Sequence, residues 1–113
     1  MTRDTLGITG LPSKMNEEMR RLGADIRLAR QRRNMTQQMM AESMFVTAKT
    51  VRRVEAGDPG VSLGVYAAAL FVLGFMGRLA KLAAPEMDTW GNWQQRKKAP
   101  KRVRTPKEDE LDF

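Results

Sequence analysis

Lys49, Arg52 and Arg53 stand within five residues of one another, preceded by Thr47 and Ala48 and followed by Glu55. Lys and Arg donate to guanine O6 and N7 or to phosphate, and a small Ala can touch a thymine methyl. On a helix that starts at Ala48, Val51 and Val54 turn to one side with Val46 of the preceding turn. Thr47, Ala48, Lys49, Arg52 and Arg53 are then left outward. A cationic face of this kind is either an ordinary solvated surface or a nucleic-acid contact, and its surroundings decide between them.

Other chemistry has little to work with. The chain has 113 residues without His or Cys, so disulfides, thiolate–imidazole zinc sites and nucleophile–histidine relays are impossible. Glu17 and Glu18 are adjacent and point to different sides of a turn, and no Gly-rich phosphate cradle precedes a helix. No catalytic constellation, metal site or cofactor is expected, and the chain reads as a non-enzyme. Its 20 Lys and Arg exceed 13 Asp and Glu, a net charge of +7 with pI near 10.4. So basic a small chain suits a polyanionic partner, nucleic acid or an anionic membrane surface. The charge is uneven: Lys14 to Gly57 has ten basic and five acidic residues, and Arg96 to Arg104 six basic and none acidic. The last nine residues hold one Lys against four acids.

The elements that must position the cations read as helices. Residues 1–12 are a flexible leader rich in Thr and Gly. Ser13 is placed to cap a helix in which Met15, Met19, Leu22, Ile26 and Ala29 form one stripe. Gly23 leaves open a break near residue 22, and Asn34 suits a left-handed stop. Thr36 caps Gln37 to about Met44, with Met40, Ala41 and Met44 inward. Thr47 caps a helix to Ala56, stopped by Gly57-Asp58-Pro59-Gly60. Ser62 caps a fourth helix to about Gly74, and a fifth is expected over Met76 to Ala84. No stretch alternates like a strand, so the fold is expected to be all-α. The two short helices joined by Phe45-Val46-Thr47 have helix-turn-helix spacing, with residues 37–56 as the motif.

The ordered set Thr36-Gln37, Ala41, Val46-Thr47, Thr50-Val51, Arg53-Val54-Glu55 and Gly57, preceded by Ile26-Arg27 and Arg30, resembles the Cro/C1 (XRE-type) helix-turn-helix family. The resemblance covers roughly residues 22–75 and implies a five-helix, lambda-repressor-like DNA-binding domain. It implies that Gln37 grips phosphate, that Ala48, Lys49 and Arg53 read bases, and that Thr47, Thr50 and Arg52 flank them. By the same resemblance Arg30 pairs with Glu55, either as a brace alone or also aimed at the backbone. Two positions depart from the family, which usually has Gly where Phe45 and Asn34 stand. Asn tolerates the left-handed conformation, whereas a bulky Phe must be accommodated.

The fourth helix, SLGVYAAALFVLG, is apolar all round. Leu63, Tyr66, Ala67, Leu70 and Leu73 make its expected inward stripe, while Val65, Ala68, Phe71 and Val72, then Phe75 and Met76, remain outside. A helix apolar on every face needs a second burial partner, which points to a homodimer seam including Phe71 and Phe75. Pro59 to Gly77 runs nineteen residues without charge, yet its helical part is too short to span a bilayer, so no membrane association is expected. The N-terminus has no apolar signal core, and a cytoplasmic, nucleoid-associated protein is expected.

Residues 13–84 are thus expected to form the DNA-binding and dimerisation domain, with residues 85–113 a flexible extension. Trp90 and Trp93 in the extension either anchor a partner or fold back on the chain's own core. The basic run RKKAPKRVR is a solvated tail, a phosphate contact or a docking strip for an acidic partner. Leu70-Phe71-Val72-Leu73-Gly74, Arg78-Leu79-Ala80 and Pro100-Lys101-Arg102-Val103-Arg104 resemble the C-terminal half of HipB-type antitoxins. That resemblance implies a DNA-binding dimer that represses its own operon and binds a HipA-type Ser/Thr kinase toxin. The alternative is a stand-alone phage- or plasmid-type repressor.

Overall fold

A computed structural model describes residues 12–98, which divide into two units that part between Leu79 and Ala80. The first unit holds four α-helices: α1 (Ser13–Arg32), α2 (Gln37–Met44), α3 (Ala48–Glu55) and α4 (Leu63–Val72). The second holds α5 (Thr89–Lys98), preceded by short 3₁₀ turns at Leu79–Lys81, across the boundary, and Pro85–Met87. No strand occurs among the described residues, and the fold is all-α, as the periodicity requires.

Three helices begin with a hydroxyl cap. Thr36 accepts from Met39 N at 3.0 Å, Thr47 from Thr50 N at 3.1 Å and Ser62 from Val65 N at 3.2 Å. Each satisfies one amide that the helix leaves unpaired, a contribution of about 1 kcal/mol. The cap expected at Ser13 is absent: Pro12 occupies the capping position, its carbonyl accepts from Met15 N and Asn16 N, and Ser13 is already helical.

The helices also end alike. At each exit one residue turns left-handed: Asn34 (φ 55°), Phe45 (φ 60°), Gly57 (φ 73°) and Gly74 (φ 85°). Behind each lies the same pair of reverse hydrogen bonds, such as Phe45 N to the Glu42 carbonyl (3.2 Å) and Val46 N to the Ala41 carbonyl (3.0 Å). At α4 the pair is Gly74 N to the Phe71 carbonyl (3.0 Å) and Phe75 N to the Leu70 carbonyl (2.8 Å). Gly adopts this conformation freely and Asn with little difficulty, whereas Phe45 bears a cost of about 1–2 kcal/mol.

The core fills the space enclosed by α1 to α4. Ile26 and Ala29, Met40, Ala41 and Met44, Val51 and Val54, and Tyr66, Ala69 and Leu73 are all buried, together with Val61 from the loop. Met40 is wholly inaccessible and Met44 buried, so these two methionines of α2 act as flexible filler between branched neighbours. Tyr66 is buried with its hydroxyl donating to the Asp58 carbonyl at 2.8 Å, which pins the loop after α3 to α4.

Three further readings of the sequence are corrected. The α1 helix runs unbroken through Gly23, because the glycine serves packing and not chain reversal. A Cβ there would lie 2.6 Å from the carbonyl oxygens of Val54 and Glu55, so only glycine lets α1 approach the end of α3. Leu63, expected inward, is 65% exposed; the inward set of α4 is narrower and centres on Tyr66, Ala69 and Leu73. The helix expected over Met76 to Ala84 is also absent. Gly77 turns left-handed (φ 89°) three residues after Gly74, and only the short turn at Leu79–Lys81 follows.

The additional helix instead lies at α5, within the stretch expected to be a flexible extension. The Asp88 carboxylate accepts from Gly91 N at 2.8 Å and starts it, and Arg96, Lys97 and Lys98 in the last turn face its negative end. Residues 1–11 of the leader and the segment from Ala99 onward, with Pro100, Pro106 and most of the basic run, lie outside the described residues.

Candidate nucleic-acid interface

The candidate surface is the outer side of α3. Val51 and Val54 are each 1% exposed and fix the inner side, so Lys49, Arg52 and Arg53 are held outward, with Thr47 exposed at the start of the helix. Ala48 and Thr50 are half-buried beside them. The Thr47 and Thr50 hydroxyls lie 3.0 Å apart and share a hydrogen bond. This ties both side chains to the first turn and leaves Lys49 between them. Lys49 and Arg52 have no ion pair among the described residues. Their charge is unneutralised, which favours an approaching polyanion.

Arg53 is held differently. Its Nε donates to Asp58 Oδ2 at 2.8 Å, and Asp58 Oδ1 in turn accepts from Gly60 N at 2.8 Å. The Arg53 hydrogen bond, with help from the Gly60 amide, holds the Asp58 carboxyl below the ordinary carboxylate value. Asp58 N also bonds to the Arg53 carbonyl at 3.0 Å, so the ion pair straddles the exit of α3 at Gly57. A sequence reading does not single out Asp58. The signal is positional: Arg53 and Asp58 flank the left-handed glycine as the pair that such a helix exit brings together.

The aim of α3 is set by a buried polar cluster. The Arg30 guanidinium donates to both Glu55 oxygens, Nε to Oε2 at 2.5 Å and Nη2 to Oε1 at 3.1 Å, and Nη1 donates to the Met35 carbonyl at 2.8 Å. Glu55 Oε1 also accepts from Gln37 Nε2 at 3.0 Å. Arg30 is 7% and Glu55 9% exposed, and no side-chain polar atom buried among the described residues lacks a partner. Three elements thus meet at one carboxylate: α1 through Arg30, α2 through Gln37 and α3 through Glu55 itself. The expected Arg30–Glu55 pair is present, but Arg30 is turned inward and does not join the exposed cations. Gln37 is half-buried with its amide directed at Glu55.

Gly57 completes the clamp from the other side. A Cβ there would collide with the backbone of Met19 and Arg20 on α1, just as one on Gly23 would collide with α3. Two glycines facing each other across the α1–α3 contact let the backbones touch.

The residues expected to meet protein partners fall into two groups. Phe71 is 64% exposed and borders an open apolar groove of about 390 Å³ with Ala67, Ala68, Leu70, Phe75 and Met76. Phe75 is half-buried, and the guanidinium groups of Arg78 (4.2 Å) and Arg33 (5.3 Å) lie over its ring. In the second unit Trp90 and Trp93 stack with ring centres 5.1 Å apart, and Lys97 lies 5.0 Å from the Trp93 ring. Both indoles stay exposed.

A short helix capped by Thr36, a left-handed turn and a second short helix with cations outward together define a helix-turn-helix unit. A family model for the helix-turn-helix domain, of the XRE-like kind, matches residues 21–82, more than half of the chain, and the chain belongs to that family. The class is that of DNA-binding regulators. No curated protein and no solved structure matches the chain. No helix among the described residues is long and apolar enough to cross a membrane.

Proposed function

We propose that the protein is a sequence-specific transcriptional repressor that binds an inverted-repeat operator as a homodimer. The observation that carries this reading is α3 itself: open and cationic on one side, clamped on the other by Arg30, Gln37 and the facing glycines. A rigidly aimed helix of this kind suits entry into a major groove N-terminus first. On this reading Ala48, Lys49 and Arg53 read base edges, with Thr47, Thr50 and Arg52 beside them. Gln37 contacts phosphate from the start of α2, exchanging or sharing its bond to Glu55. Arg30 acts as the brace. Arg53 approaches DNA by turning its guanidinium from Asp58, so that the ion pair sets the rest position of the side chain.

A finer reading is that the protein works in the cytoplasm as a HipB-like antitoxin that autoregulates its operon and neutralises a HipA-type kinase. Residues 13–84 would then bind DNA and dimerise, and residues 85–113 would bind the toxin through Trp90 and Trp93. The exposed indole pair favours this over a stand-alone repressor, since stacked exposed Trp is costly to leave in water and common at binding hot spots. Capture of the product of a neighbouring kinase-like gene, lost on replacing both Trp90 and Trp93 by Ala with operator binding kept, would support it.

The DNA reading is tested by a titration in salt. With about six to ten phosphate contacts per dimer, operator affinity falls on the order of 10³–10⁵ between about 50 and 200 mM salt. Arg53→Ala costs about 1–3 kcal/mol on the operator and relaxes base preference at one position, whereas Gln37→Ala weakens operator and random DNA alike. A flat salt dependence would reject DNA binding. Equal losses on both DNAs for Arg53→Ala would make Arg53 a phosphate contact.

A further inference from the structure

Four helix exits of the first unit share one left-handed geometry, and three are filled by Asn or Gly. The fourth holds Phe45, at φ 60° and 94% exposed. Both features are unfavourable for the chain on its own. A glycine in the same turn would remove the backbone strain and the exposed ring together, as Gly57 and Gly74 do at sister positions. The ring takes no part in the core cluster, and no aromatic or cation contact engages it among the described residues. Strain together with exposure at a single residue points outward, to a contact not made among the described residues.

The position of the turn narrows what that is. Phe45 lies two residues before Thr47, the cap of α3, which places its Cα within about 7 Å of the helix entrance. The exposed cations of the following helix, Lys49 and Arg52, have no ion pair among the described residues, which leaves their charge open to a polyanion. On duplex DNA, the apolar feature within reach of a major-groove helix is the thymine methyl, which an aromatic ring can cover. Val46 N is committed to the Ala41 carbonyl at 3.0 Å and Phe45 N to that of Glu42, which fixes the backbone of the turn from which the exposed ring projects.

We propose that Phe45 is a further DNA-contacting residue, packing its ring on a thymine methyl at the rim of each half-site. This rests on the DNA-binding reading above and adds to it an apolar, base-selective contact at a position where the fold calls for glycine.

The test uses the full chain and a duplex selected by it from a random pool. Phe45→Gly suits the left-handed turn, so it melts at the same or a higher temperature, while its affinity for the selected duplex falls about ten-fold or more. Each thymine of the duplex is then replaced in turn by uracil, which removes only the methyl. One replacement weakens the unmodified chain about four-fold and leaves Phe45→Gly unaffected. A thymine that responds equally in both chains is read by a residue other than Phe45 and does not count toward the proposal. Unchanged affinity of Phe45→Gly, or the same response to every uracil as the unmodified chain, would overturn the proposal. If Lys49→Ala with Arg52→Ala loses the duplex while Phe45→Gly keeps it, Phe45 alone is removed from the interface. If no variant alters binding, the DNA reading falls and this proposal with it.

Discussion

Glu55 is where three helices are joined, and its chemistry governs how firmly α3 is aimed. A carboxylate buried with one guanidinium and one amide is expensive to desolvate, but its removal leaves Arg30 charged and without its partner. Glu55→Ala should therefore destabilise the domain by about 3–5 kcal/mol, read by urea unfolding. Replacing Arg30 by Met in the same chain should recover much of that loss, because no buried charge is then left unpaired. Asp58 behaves as a local, half-buried counterpart. Its pKa is lowered chiefly by Arg53, so its contribution to stability is present above its ordinary value of 3.8 and is lost as pH falls through the lowered folded value. Arg53→Ala should move the Asp58 carboxyl titration upward toward 3.8, followed by carboxyl NMR, and should not carry it all the way because Gly60 N still donates. An unmoved titration would mean that the ion pair is not formed in solution.

Among the elements, α1 is the longest and depends on its neighbour most closely. A glycine inside an exposed helix costs about 1 kcal/mol against Ala, so Gly23→Ala would ordinarily stabilise the protein. Here the sign reverses. The added Cβ meets the carbonyls of Val54 and Glu55 at 2.6 Å, both backbone atoms that cannot rotate away, and α1 must move off α3. Thermal melting of Gly23→Ala should show a fall in stability together with weaker operator binding, since the same contact aims α3. A rise in melting temperature would place Gly23 outside the packing contact. The spacing of apolar residues in α1 is equally compatible with a straight helix and with one broken at Gly23. Only the approach of the third helix, 31 residues further on at Val54, distinguishes them.

At the scale of the whole molecule, the first unit carries an open apolar groove on α4 and the turn after it, with Phe71 at its edge. Phe71→Glu would introduce a charge into a homodimer seam there, and burying an unpaired charge is unfavourable. Sedimentation should find the unmodified protein dimeric at micromolar concentration and Phe71→Glu monomeric. Operator affinity should fall with it, because half-sites about 34–36 Å apart demand two linked recognition helices. A monomeric unmodified protein would end the homodimer proposal.

Local rules made several features legible in advance. Hydroxyl residues at Thr36, Thr47 and Ser62 announce three helix starts, because a cap needs only its own side chain and an amide three residues on. The inward Val51 and Val54 and the outward Lys49, Arg52 and Arg53 follow from helical period alone. Pairing of Arg30 with Glu55 came from the family resemblance and holds in the fold. Tertiary structure decided what depends on distant backbone or on a choice between equal local options. It made Gly23 a contact and not a break, turned the amide of Gln37 to Glu55 and tied Arg53 to Asp58 across a helix exit. It exposed Leu63, and at Gly77 it turned the chain out of the helix that apolar spacing allowed. The physical reason is range: caps and periodicity act within one or two turns of chain, whereas close approach and shared carboxylates exist only after the helices have packed.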